Sequence, residues 1–150
     1  MKEASTMTGR GENRSEEMAA LCLRFGVATL YAFGSRGREA LDWLHGRGGE
    51  MSGESDVDVG VRPVSGRVFT LDDKVAMAIA LEDLLGCGRV DLVVLTEADP
   101  FLAAEIIRGE RLYAHDEYAA DEYDLYVLRR AGDLIPLERE RIELLLRSGK

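Results

Sequence analysis

A chain of 150 residues can bury one real hydrophobic core but not two catalytic domains side by side. Apolar residues at 46% and charged residues at 31% exclude wholesale disorder and fibrous repeats, and a net charge of −9 argues against a surface built to coat nucleic acid or anionic lipid. That balance favours a basic partner or a metal-bridged anion. Among the 19 basic residues only Lys2, Lys74 and Lys150 are lysines, a bias composition alone does not explain.

Residues 1–12 mix Ser, Thr, Gly and charge without periodicity and predict a mobile tail. A first helix is expected from Asn13, where Asn13 and Glu16 resemble a capping box, Met18, Leu21, Cys22 and Phe25 recur at helical spacing, and Gly26 supplies a stop. Residues 27–33 are an apolar run of strand length ending at Gly34-Ser35, and residues 36–45 suit a second helix. Gly46, Gly48, Gly49 and Gly53 then predict a flexible loop with a mobile tip. Residues 56–62, DVDVGVR, alternate as a strand does. A third helix is capped by Thr70 and ends at Gly86, and a third strand covers residues 90–95.

Asp99-Pro100 opens a fourth helix that Gly109 closes, and a short strand follows around residues 111–114. The remainder reads as a long helix and a shorter one, interrupted at residues 132–136. The order predicts an α/β (α+β) domain: a mixed four-stranded sheet covered by helices on one face, with C-terminal helices. Residues 13–115 form the domain and residues 116–150 a helical extension packed on it. Nothing approaches the roughly 18 apolar residues of a membrane span, and residues 1–10 lack a secretory signal. A cytoplasmic location without membrane association is expected. Cys22, Cys87, His45 and His115 are too scattered for a disulfide framework or a Cys/His zinc site, so both cysteines are read as buried apolar residues.

Strand alternation puts Asp56 and Asp58 on one face and Val57 and Val59 on the other. Asp91, at the start of the third strand, adds a third carboxylate if the two strands are neighbours. Three hard oxygen donors suit Mg²⁺ or Mn²⁺ completed by substrate phosphate and water. An acidic pair on a strand is often no more than a solvated face, but Gly34-Ser35 changes the balance. It lies between a buried strand and a helix, where backbone N–H groups and the Ser35 hydroxyl can hold a phosphate. Arg36 and Arg38 add charge for the same anion. Neither GxxxxGK[ST] nor GxGxxG is present, and Asn13-Arg14-Ser15 is a sequon without a secretory route.

The segments YAFGSRGR, SDVDVGV and RVDLVVL, in that order, resemble the GS turn, DxD strand and third-carboxylate strand of the DNA polymerase beta-like nucleotidyltransferase superfamily. The short length and the ending FLAAEIIRGERLYAHD resemble, more narrowly, the minimal nucleotidyltransferases that act as antitoxins beside HEPN-domain toxins. The resemblance covers about residues 21–117. It implies a nucleotidyltransferase fold, Gly34 and Ser35 on the nucleotide phosphate with Arg36 and Arg38 beside them, and Asp56, Asp58 and Asp91 on Mg²⁺ or Mn²⁺. It further implies transfer of AMP from ATP to a tyrosine hydroxyl of a HEPN toxin.

One departure is the 20 residues, Arg36 to Ser55, between GS and DxD, a longer spacing than such proteins commonly have. The insertion is either a lid over the nucleotide or, as the favoured reading, a neutral surface extension. Tyr118, Tyr123 and Tyr126 could stack on a nucleotide, but packing of an amphipathic helix explains them better. Two other functions stay open: an antitoxin that neutralises by contact alone, and a nucleotidyltransferase for a small molecule such as an antibiotic. The base, the acceptor and a homo-oligomeric state are not legible.

Overall fold

The computed structural model describes residues 2–48, 51 and 56–148. Its elements are α1 (Lys2–Phe25), β1 (Val27–Phe33), α2 (Gly37–Leu44), β2 (Val57–Pro63), α3 (Leu71–Leu85), β3 (Val90–Val94), α4 (Pro100–Ile107), β4 (Glu110–Ala114) and α5 (Glu117–Ser148). The four strands form one mixed sheet in the order β3-β2-β1-β4, with β1 antiparallel to β2 and β4, and β2 parallel to β3. The Thr70 and Asp99 caps act as the sequence predicts, whereas Asn13, the expected first N-cap, lies inside α1 because the helix already runs from Lys2. Thr70 accepts the Asp73 N–H at 3.1 Å and its own N–H donates to Asp73 at 2.8 Å, while Asp99 accepts the Phe101 and Leu102 N–H groups at the start of α4.

Helices cover both faces of the sheet, not one. β1 is buried along its whole length, because Leu30 and Ala32 join the core beneath α1, α2 and α3 while Tyr31 and Phe33 join a second cluster with Ile106, Val127 and Ala131 of α4 and α5. A continuous apolar run such as VATLYAF is the pattern of a strand buried on two sides. α4 packs closely on the sheet: a Cβ on the buried Gly60 of β2 would lie 2.3 Å from Ile106 Cγ2.

Two further expectations change. The tail predicted over residues 1–12 is the start of α1, which is helical from Lys2. Gly11 is buried, and a Cβ there would stand 2.5 Å from the His45 carbonyl oxygen, so α1 gains a tertiary contact that local patterning does not carry. At the C-terminus a single helix, α5, replaces the expected two and contains Pro136. Proline removes one N–H and crowds the carbonyl of Gly132, but that position is exposed, where water can satisfy the freed carbonyl, and helical turns on both sides persist. The expected mobile loop lies partly outside the described residues, at positions 49–50 and 52–55.

The beginning of the insertion is integrated into the core. Trp43 donates its indole N–H to the Leu84 carbonyl at 3.1 Å, the Arg14 guanidinium stacks 3.5 Å from the ring centroid, and Met51 is buried. Cys22 is buried and its thiol is pushed up to about 12 by that burial, whereas Cys87 is only half-buried. On the other face, Tyr31 donates to Asp124, and Arg111 pairs with Glu117, Asp121 and Asp124, fastening the first half of α5 to the sheet. Beyond Ala131 the helix buries no side chain, and Leu144, Leu145 and Leu146 are exposed.

The Gly60–Ile106 approach gives a test of this packing. Gly60→Ala should lower the urea midpoint, with a loss on the order of 1–3 kcal/mol from forced displacement of a β-branched side chain. An unchanged midpoint would mean that α4 slides on β2 without cost.

Candidate active site

The site is assembled by register. β2 and β3 pair in parallel with Asp58 directly opposite Asp91, and β1 and β2 pair antiparallel with Phe33 opposite Asp58. The residue after Phe33 is Gly34, so the turn leaving β1 arrives against the Asp58 carboxylate. A Cβ on Gly34 would lie 2.6 Å from Asp58 Oδ2, and Gly34 has φ +73, a conformation that side chains disfavour. Gly34 to Arg36 form one turn of 3₁₀ helix before α2, with Gly34 and Ser35 exposed. The predicted GS turn and DxD strand are therefore in direct contact.

Asp56 immediately precedes β2, and its carboxylate lies 3.8 Å from Arg89 Nε; Asp91 lies 3.5 Å from Arg89 Nη2. Glu105 on α4 contributes negative charge to the same region. Burial first, then Asp91, Asp56 and Glu105, push the Asp58 carboxyl above the usual carboxylate range. Sequence reasoning passed over Arg89 and Glu105. Arg89 was within reach of it, being two residues ahead of Asp91 in sequence, whereas Glu105 depends on where α4 docks.

The two predicted phosphate-binding arginines behave differently. Arg36 is buried and forks onto Glu39, Nε to Oε2 at 3.1 Å and Nη2 to Oε1 at 3.2 Å, an arrangement that braces the turn into α2. Arg38 is exposed and lies 3.6 Å from Asp42 and 3.8 Å from Glu110. Of the tyrosines, Tyr123 packs on the second core cluster with Arg62 4.6 Å above its ring, while Tyr118 and Tyr126 are exposed.

The donor chemistry fits a hard divalent cation: carboxylates facing each other across a parallel pair, beside a cradle that any Cβ on Gly34 would fill. As the side chains stand, no three Asp, Glu, His or Cys groups among the described residues gather tightly enough to hold an ion. Asp56 and Asp91 are instead held by Arg89.

This arrangement on a four-stranded mixed sheet is that of a nucleotidyltransferase. The chain matches the family "Polymerase beta, Nucleotidyltransferase" over residues 18–118 and belongs to it. Among solved structures, the fold is similar to a toxin–antitoxin structure with AMP-PNP, at 16% identity and a TM-score of 0.65 over 88% of this chain and 98% of the other. It is also similar to a chain of the MntA–HepT toxin–antitoxin, at 15% identity and a TM-score of 0.62 over 90% and 98%. A third likeness is to a complex of tri-AMPylated Shewanella oneidensis HEPN toxin with MNT antitoxin, at 16% identity and a TM-score of 0.62 over 91% and 98%. These are likenesses of fold. No curated protein sequence matches the chain.

The raised Asp58 carboxyl makes stability depend on pH in a defined direction. Its folded-state proton affinity exceeds the unfolded one, so ionisation opposes folding as pH rises from the ordinary range, about 4, through the raised value. Asp58→Asn should therefore unfold at a higher temperature than the parent at neutral pH, with the difference closing in acid below the ordinary carboxylate range. A variant less stable than the parent at neutral pH would contradict this electrostatic account.

Proposed function

We propose that this chain is a metal-dependent nucleotidyltransferase that moves AMP from ATP onto a tyrosine hydroxyl of a HEPN-type toxin and so acts as its antitoxin. The observation that carries this reading is the Asp58–Asp91 pair set against the Gly34-Ser35 turn in a chain of the polymerase beta family. The solved relatives with AMP-PNP and with an AMPylated HEPN toxin support the nucleotide and the acceptor.

In this reading Asp56, Asp58 and Asp91 hold Mg²⁺ or Mn²⁺, which supplies charge neutralisation of the triphosphate and of the pentavalent α-phosphorus. The Gly34 and Ser35 N–H groups and the Ser35 hydroxyl orient the phosphates. Arg38 can leave Asp42 and Glu110 for the same anion, while Arg36 serves the nucleotide by bracing the turn against Glu39. Asp91 takes the proton of the incoming hydroxyl as its oxygen bonds to the α-phosphorus and the bond to pyrophosphate breaks. Residues 13–115 are the catalytic part and residues 116–150 a helical extension.

The partner is a protein more basic than this chain, which carries a net charge of −9. The exposed leucines at the end of α5 supply apolar contact for it. Direct nucleic-acid binding is no part of this function. Among the described residues no helix is long and apolar enough to cross a membrane, in keeping with action in the cytoplasm.

Incubation with the HEPN partner, ATP and Mg²⁺ should add one AMP mass, or a small multiple, to the partner. Asp56→Asn with Asp58→Asn should abolish the adduct and leave the complex intact, since the docking face is separate from the carboxylates. If intact-mass measurement finds no adduct while the complex still silences the toxin, neutralisation is by contact alone and the transferase assignment fails. An adduct on a small-molecule acceptor instead would reassign the substrate.

A further inference from the structure

Arg89 stands among the candidate carboxylates because of strand register. The parallel ladder begins at the Val57–Val90 pair, and Asp56 and Arg89 are the residues immediately before it on the two segments. Arg89 immediately precedes β3, and its guanidinium reaches the side of the sheet on which the Asp91 carboxylate lies. The backbone is fixed at this point: the Arg89 carbonyl accepts the Val57 N–H at 3.0 Å, and the Val90 N–H donates to Glu82 Oε1 at 3.1 Å. From that anchored base the guanidinium lies 3.8 Å from Asp56 and 3.5 Å from Asp91 while its side chain is 70% exposed. Ion pairs so exposed and so long are weak and exchangeable.

We propose that Arg89 is a built-in competitor for the divalent cation: it neutralises Asp56 and Asp91, releases them as metal and nucleotide enter, and passes its guanidinium to the polyphosphate. This rests on Asp56, Asp58 and Asp91 being the metal ligands. The exchange follows from charge. A guanidinium cannot shed its proton, so once its two carboxylates turn to a divalent cation it needs another anion. The polyphosphate that arrives with the metal is that anion, and it suits the planar fork of donors. Metal alone must displace Arg89 without giving it a new partner, so Arg89 makes the site favour metal with nucleotide over metal alone.

The test is a Mn²⁺ titration of the full chain without nucleotide, read by the electron-spin resonance of free Mn²⁺. Arg89→Ala should bind Mn²⁺ about three- to tenfold more tightly than the parent, within the range that two exposed ion pairs correspond to. Arg89→Lys, which keeps a point charge but loses the fork, should fall between them. In the same Arg89→Ala protein, calorimetric affinity for ATP with Mg²⁺ should fall by a similar factor. Circular dichroism confirms that the fold persists, as expected for an exposed side chain whose backbone bonds are untouched. Mn²⁺ affinity equal to or weaker than the parent's overturns the competition, and an undiminished ATP affinity overturns the transfer to phosphate. If the parent does not bind Mn²⁺, or Asp58→Asn binds it unaltered, the ligand assignment itself fails and the proposal with it.

Discussion

The register of β2 is the constraint on which the rest of this molecule depends. β2 is paired antiparallel on one side and parallel on the other, and these ladders bring Asp58 level with Phe33 in β1 and with Asp91 in β3. A slip of one residue on either side would turn Val57 or Val59 toward the turn and bury a carboxylate beneath α1 and α3. Val57, Val59 and Val61 are fully buried, so the core itself forbids that slip. Packing and site geometry are two faces of the same alternation.

Gly34 and Asp58 show how tightly the two are joined. The turn has positive φ and no side chain, which lets it close on the carboxylate, and the crowding of Asp58 with Asp91, Asp56 and Glu105 runs against stability. Such crowding of like charges is retained at functional sites and offset elsewhere, here by a strand buried on both faces and by the ionic fastening of α5 through Arg111.

Much of this was legible in the sequence because it is written locally. The strand at VATLYAF, the Thr70 and Asp99 caps and the GS turn are short-range patterns that the structure holds where the pattern puts them, and Asp58 and Asp91 sit on their expected strands, while β2 starts one residue later than expected and leaves Asp56 just ahead of it. What was not legible depends on contacts between distant segments. Gly11 against His45 extends α1, the docking of α4 and α5 covers the second face, and the pairing of Asp56 with Arg89 requires knowing that β2 and β3 are parallel neighbours in that register. Pro136 shows the reverse case, a strong local signal that an exposed helix tolerates.

Trp43 is the only tryptophan of the chain, and its position gives the protein a built-in optical reporter. Its ring lies beneath Arg14 of α1, and its N–H is tied to the Leu84 carbonyl of α3. Intrinsic indole emission therefore originates from the junction of α1, α2 and α3. A stacked cation and a half-buried, hydrogen-bonded indole give that junction an intensity and wavelength different from those of a fully solvated ring. Undocking of the inserted helix would register as a spectral change, while rearrangement of the far end of α5 would leave the signal dark to it.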